Sequence, residues 1–146
     1  MPLHQIFHPP GIFTDEEKEN LAKNITELYA SRGLPKFYVV VLFLPIENQN
    51  FFVGGQKTEK FVRILVQHLA RHFSSSKSGE LFLNAYEKVL EPFIKDKGLD
   101  WEVNISLADR DLWRENGISP PLPNTLAEKE WIKLNKAVVY DEKDNI

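Results

Sequence analysis

The sequence predicts an α+β domain in which duplicated β-α-β units form a four-stranded mixed sheet with two long helices on one face. Three observations carry this reading. Residues 2–44 run as apolar strand, amphipathic helix and apolar strand. Residues 61–107 repeat that order after a loop at 45–60. Each half is long enough for one crossover connection between parallel strands. A short helix and a tail over 108–146 complete a single domain spanning 1–146.

The elements follow in chain order. Leu3–His8 is short, partly alternating and stopped by Pro9-Pro10-Gly11, so it reads as a strand ended by a turn. Thr14-Asp15-Glu16-Glu17 is a capping-box signature: a threonine and the glutamate three residues on satisfy free amides of a first helical turn. Leu21, Ile25, Leu28 and Tyr29 follow at helical spacing, and Gly33 closes the helix. Lys36–Leu44, "KFYVVVLFL", is rich in β-branched and aromatic residues, which suits a strand covered on both faces. In the loop that follows, a Gly-Gly turn is expected, with Phe51 and Phe52 folded back onto the core. Phe61–Arg71 is a second β-rich run, and Ser74–Ser78 is a polar break ending in a helix cap. Glu80–Ile94 carries Phe82, Tyr86, Val89 and Phe93 on one helical stripe; Gly98 ends that segment before a strand at Trp101–Leu107. Ala108–Asn116 reads as a short helix closed by Gly117. Pro120, Pro121 and Pro123 begin a tail, with a helix at 127–136 against the body or a neighbour and a polar, mobile end. Both long helices lie on one sheet face, so the other face needs cover, which an oligomer supplies.

Composition removes several function classes. The chain has 146 residues, 42% hydrophobic and 27% charged, as expected of a soluble domain with one core. Its net charge of −3 argues against nucleic acid as the main partner. No apolar run approaches the roughly 20 residues of a membrane span, and no signal-peptide pattern opens the sequence. Cysteine is absent, which excludes disulfides, thiolate catalysis and cysteine-ligated zinc. A cytoplasmic location is expected, and on that reading the sequons at Asn24 and Asn104 go unused.

Few motifs suggest chemistry. His4 and His8, like His68 and His72, stand four apart. On a strand that spacing spans roughly 13 Å, too far to share one metal ion, so they read as surface or partly buried histidines and no metal site is expected. "GGQKT" lacks the spacing of a phosphate loop, and "SSSKSG" reads as a loop and cap. Pro2 is different. If Met1 is removed, Pro2 becomes a free secondary amine at the start of a strand. Such an amine titrates near or above the roughly 7.7–8.0 of simple α-amino groups, and burial or a nearby cation lowers it toward neutrality, where it serves as general base or acid. An arginine could both depress that amine and hold a substrate carboxylate. Arg71 is a candidate and Arg63 its competitor.

Together these residues resemble the tautomerase superfamily, in particular the long chains similar to cis-3-chloroacrylic acid dehalogenase and its fungal relatives. The resemblance covers most of residues 2–121 and rests on Pro2, "KNITELY", "FFVGG", "ILVQHLAR" and "WRENG" followed by "PP", in that order. It implies a tautomerase/MIF-like homotrimer, with no metal and no organic cofactor, in which an amino-terminal proline moves protons on a small carboxylic acid. Pro2 matches the catalytic proline, Arg71 the first of two carboxylate-binding arginines, and Glu115 the acid that activates water. Three positions depart from the dehalogenase pattern: Tyr29 stands for its histidine, Ser74 for its second arginine and Asn104 for its tyrosine. Tyr29 either donates a hydrogen bond to an enol oxygen or packs; Asn104 either donates to a developing enolate or satisfies the sheet edge.

The resemblance implies a tautomerase acting on a 2-oxo or 2-hydroxy unsaturated acid, with at most weak hydratase or dehalogenase activity. One alternative is a non-catalytic trimeric binding or signalling module; a second is a hydrolytic dehalogenase of 3-haloacrylates. A ferredoxin-like RNA-binding domain is disfavoured by acidity and by the lack of an aromatic-basic RNP pattern.

Overall fold

Strand β1, Leu3–His8, buries every second side chain, His4, Ile6 and His8, as a pleated strand with one covered face must. It lies inside a four-stranded sheet in the computed structural model, which describes residues 2–146. Helix α1, Asp15–Ala30, starts at the expected capping box: Thr14 Oγ1 accepts from the Glu17 amide, and the Glu17 carboxylate accepts from the Thr14 amide. Strand β2, Val40–Pro45, runs parallel to β1. Two short strands, β3 (Phe52–Val53) and β4 (Gln56–Lys57), pair around Gly54-Gly55, both at positive φ. Strand β5, Phe61–His68, pairs antiparallel to β1; after helix α2, Ser76–Leu90, strand β6, Asp100–Leu107, pairs parallel to β5. The order β2-β1-β5-β6 is therefore two parallel pairs joined by one antiparallel seam.

The core lies between the sheet and the two long helices. Leu21, Ile25 and Tyr29 of α1 and Phe82, Tyr86 and Leu90 of α2 meet Ile6, Val62, Ile64 and Val66. Leu3, Gln5, Arg63, Leu65, Gln67, Asn104 and Ser106 alternate with the core-facing residues and occupy the opposite face, which no element among the described residues covers.

Several expectations need correction. Lys36–Tyr38 forms a 3-10 turn that buries Tyr38, and β2 begins only at Val40. Leu42 on β2 is 40% exposed, so within one chain that strand is not covered on both faces. The second β-rich run stops at His68, before Arg71, and α2 starts four residues earlier than Glu80, capped by Ser75 with Ser78. Phe51 packs edge-on against Phe61, but Phe52 is exposed. Ala108–Asn116 is not a helix beyond a single turn at Arg110–Leu112. Asn116 and Gly117 both adopt positive φ, which turns the chain so that Glu115 and Ile118 exchange backbone hydrogen bonds.

The tail is not a loose end. Helix α3, Leu126–Leu134, is capped by Thr125 and buries Ala127, Glu128 and Trp131. Trp131 packs on Phe37 and Tyr38 and donates to the Val138 carbonyl, while Tyr140 meets Trp131 edge to face and donates to the Ser119 carbonyl. Arg110 donates to the carbonyls of Pro120 and Pro121, which tethers the start of this tail. The histidines are expected at the surface or partly buried; His4, His8 and His68 are instead almost wholly buried.

Candidate active site

The antiparallel seam brings the start of β1 beside the end of β5, with Leu3 opposite Gln67. Residues just before β1 and just after β5 therefore meet at one end of the sheet. The C-terminal end of α1 and the N-terminal end of α2 close around the same place. The result is a cavity of about 410 Å³ lined by Pro2, Tyr29, Arg32, Arg71, His72, Ser74 and the aromatic rings of Phe73 and Phe82, among others. Pro2 is buried, and its carbonyl accepts from the Val40 amide, which ties it to β2.

Tyr29 is almost wholly buried, and burial pushes its phenol well above the ordinary value, so it stays neutral. Its hydroxyl lies 2.8 Å from His68 Nε2. Burial holds His68 down to about 4, so its imidazole is uncharged at neutral pH. Among the described residues His68 Nδ1 has no hydrogen-bond partner, so the tautomer protonated on Nε2 leaves no orphaned donor there. In that tautomer His68 donates to the Tyr29 oxygen, and the phenol hydrogen is available to a ligand. A second pair stands behind the first: His4 Nδ1 is 2.8 Å from the Tyr86 hydroxyl, and His4 is held down to about 3 by burial first and by His68 second.

Arg71 is not a free cation. Its Nη2 donates to both oxygens of Glu128, at 2.8 and 3.0 Å. That carboxylate is buried and also accepts from the Asn124 amide at 2.7 Å. Its residue sits at the third position of α3, where its own amide donates to the capping Thr125 hydroxyl. Arg71 is thus oriented from behind by a fixed anion.

The cavity brings together four of the six site residues expected from the sequence: Pro2, Tyr29, Arg71 and Ser74. It does not include the other two. Glu115 lies in the turn after Trp113, whose indole donates to it at 3.2 Å; burial pushes its carboxyl up, against that hydrogen bond. Asn104 faces the uncovered side of the sheet, in a shallow groove with Gln5, Gln67 and Ser106. Arg63, the competitor of Arg71, pairs with Glu102 on that same side and is removed from the site. Met1, whose removal the chemistry of Pro2 requires, lies outside the described residues. Among the described residues no cluster of three or more histidine, aspartate or glutamate side chains could hold a metal ion. Two further residues stand at or behind the cavity without a clear sequence signal: Arg32 in its wall and Glu128 behind Arg71. Arg32 reads as an ordinary basic residue after a helix. Glu128 reads as surface charge, although Thr125-Leu126-Ala127-Glu128 is itself a capping pattern that places a helix start there.

Residues 1–136 match a family model described as "Putative oxalocrotonate tautomerase enzyme". The chain belongs to this tautomerase family. Among solved structures, native RhCC from Rhodococcus jostii RHA1 is 40% identical, with a TM-score of 0.92 over 94% of this chain and 99% of that one. A protein from the thermophilic fungus Aspergillus fumigatus, described as "a probable enzyme", is 39% identical, with a TM-score of 0.91 over 96% of this chain and 98% of that one. N1, a member of the cis-3-chloroacrylic acid dehalogenase family, shares the fold at 18% identity, with a TM-score of 0.67 over 88% of this chain and 89% of that one. A comparison with curated proteins finds no match. Among the described residues no helix is long and apolar enough to cross a membrane.

Proposed function

We propose that the protein is a cofactor-free tautomerase of a 2-oxo or 2-hydroxy unsaturated carboxylic acid, with Pro2 as its proton carrier. The observation that carries this reading is the convergence of Pro2, Tyr29 and Arg71 on one apolar-walled cavity. With Met1 removed, the neutral Pro2 amine takes the hydroxyl proton of the bound enol. The electron pair of that O–H bond forms the carbonyl, and the enol C=C pair is released onto the carbon at its far end. The resulting Pro2 ammonium delivers its proton to that carbon, which restores the amine and leaves the ketone. The Tyr29 hydroxyl hydrogen-bonds the oxygen that passes between enol and carbonyl. The cavity is the right size for a small ligand, and the rings of Tyr29, Phe73 and Phe82 form part of its wall, which limits the access of bulk water to the reacting carbon.

Hydrolytic chemistry is less well supported, because Glu115 and Asn104 do not line the cavity of their own chain. The uncovered sheet face supports an oligomer, and the fused 4-OT proteins that share the fold at 16–20% identity are described as trimers. We therefore propose a homotrimer; sedimentation equilibrium is expected to give about three times the chain mass, and a monomer would refute it. One observation favours the non-catalytic alternative: Arg71 already holds a carboxylate, that of Glu128.

The experiment is an ultraviolet assay with phenylenolpyruvate on wild type and Pro2→Ala, after intact mass has established loss of Met1. Activity in the wild type and its loss by at least a hundredfold in Pro2→Ala is the expected result. Activity that survives the substitution removes Pro2 from the mechanism. No activity with this or any related acid supports the non-catalytic module.

A further inference from the structure

We propose that Arg32, at the end of α1, is the residue that binds the carboxylate of the ligand, in place of the second arginine that the chain lacks at Ser74. The proposal rests on the tautomerase reading for the identity of the ligand, but not for the anion site itself.

The cavity wall contains two arginines, Arg32 and Arg71, and no aspartate or glutamate. The charge of Arg71 is matched by Glu128 directly behind it, so the two together present little net field to a ligand. Arg71 offers a hydrogen-bonding edge, but it is a poor source of attraction for an incoming anion. Arg32 has no such partner: among the described residues no carboxylate lies within salt-bridge distance of it. Of the two described arginines in the cavity wall, Arg32 is therefore the one whose charge no carboxylate matches.

Its geometry suits that task. Arg32 Nη1 donates to the Leu28 carbonyl at 2.7 Å, and its guanidinium stands 5.5 Å from the centre of the Phe82 ring. A carbonyl on one side and an aromatic face on the other restrict a long side chain that would otherwise sweep through solvent. A guanidinium has five N–H donors, and the Leu28 contact uses one. Helix C-capping explains why an arginine is favourable at this point of the chain. It does not explain why the side chain lies over Phe82, a ring of the cavity wall, alongside Ser74 and Ser78. Position 74 needs no second arginine when Arg32 reaches the same cavity from the opposite helix.

The test uses two probes on the full-length protein. Phenylenolpyruvate reads turnover, and 3-phenylpropanoate, which cannot tautomerise, reads carboxylate binding by calorimetry. Arg32 is exposed, so Arg32→Gln is expected to fold, with thermal melting as the check. The expected result is at least a tenfold weaker Kd for 3-phenylpropanoate and a tenfold higher KM, with kcat changed less than threefold and binding less sensitive to salt. Arg32→Lys restores charge without the fork and recovers part of the loss. If Pro2→Ala abolishes turnover while Arg32→Gln leaves KM and Kd unchanged, the Arg32 assignment falls and the tautomerase reading stands. If no enzyme turns over phenylenolpyruvate but Arg32→Gln still abolishes 3-phenylpropanoate binding, the tautomerase reading falls and the anion site stands. Wild type that does not bind 3-phenylpropanoate overturns the Arg32 site.

Discussion

Replacing Glu128 by alanine is expected to destabilise the fold by about 2–4 kcal/mol, and replacing Arg71 to cost more. Removing one member of a buried ion pair typically costs roughly 3–5 kcal/mol, because the other is left charged and unpartnered. The two ends of this pair are not equally buried. The Glu128 side chain is 2% exposed and the Arg71 side chain 25%. In Glu128→Ala the stranded guanidinium can reach water, so the cost sits at or below the lower end of that range. The same substitution also removes the acceptor of the Asn124 amide at the start of α3. In Arg71→Ala the stranded carboxylate stays behind the helix with only that amide, so the full 3–5 kcal/mol applies. Guanidinium denaturation at fixed protein concentration and pH 7 measures both. For a domain of this size each 1 kcal/mol moves the melting temperature by roughly 2–4 °C. The double variant should cost about 1–3 kcal/mol less than the two singles added together, since the pair is direct. The reasoning fails if Glu128→Ala costs under about 1 kcal/mol, if Arg71→Ala proves the milder change, or if the singles simply add. Loss of activity in Arg71 variants must accordingly be read beside their stability.

Two further outcomes follow from the core. His4 and His68 titrate near 3 and 4 in the folded chain, below the ordinary value of 6.5, because burial disfavours the imidazolium. The unfolded chain thus binds more protons below pH 6.5, and stability falls as pH drops from there toward 4, by up to about 1.4 kcal/mol per pH unit for each histidine. Denaturation midpoints at pH 7 and 5.5 should differ by about 2 kcal/mol in stability; equal values would mean that these imidazoles are not held neutral. Trp131 is fully buried against Phe37 and Tyr38, so Trp131→Ala should cost about 3–5 kcal/mol and loosen the tail to proteolysis before the sheet unfolds. Limited proteolysis that cuts elsewhere first would contradict that order.

The elements that were legible in the sequence are those with local causes. The Thr14–Glu17 box announces α1, and a short, partly alternating run stopped by Pro9-Pro10-Gly11 announces β1. Where turn or cap chemistry outweighs the helical pattern, the element differs from the expectation. Asn116-Gly117 is a turn dipeptide, and both residues take positive φ, so the short helix expected there is a reversal. Ser75 caps α2 through Ser78, a weaker signal than a glutamate at that position, so the sequence pattern marks the helix only from Glu80. The buried histidines were illegible for another reason. His4 meets Tyr86 82 residues away and His68 meets Tyr29 39 away, and nothing in the spacing of histidines to one another predicts a tyrosine partner. Glu128 was hidden in the same way, its partner Arg71 standing 57 residues earlier.

Position on the sheet explains which site residues the sequence could reach. The antiparallel seam of two parallel pairs forces the beginning of β1 and the end of β5 together, so a residue before Leu3 and one after His68 must be neighbours. Pro2 and Arg71 satisfy that condition; the duplicated pattern implies one shared sheet, and it is the strand order β2-β1-β5-β6 that pairs the two residues. Asn104 fails it, since its parity on β6 opposite Leu65 and Gln5 puts it on the far face. The strand pattern alone carries that information: on β6 it is Val103 and Ile105, not Asn104, that join the core. Any role for Asn104 in proton transfer consequently requires the cavity of a neighbouring subunit. Arg71 adds the complementary point. Its place comes from the β-α-β repeat, but its charge is set by Glu128 on α3, outside the repeat. The tail therefore acts on the site by deciding how much of the cavity's positive charge remains for a ligand, and it leaves that charge chiefly to Arg32.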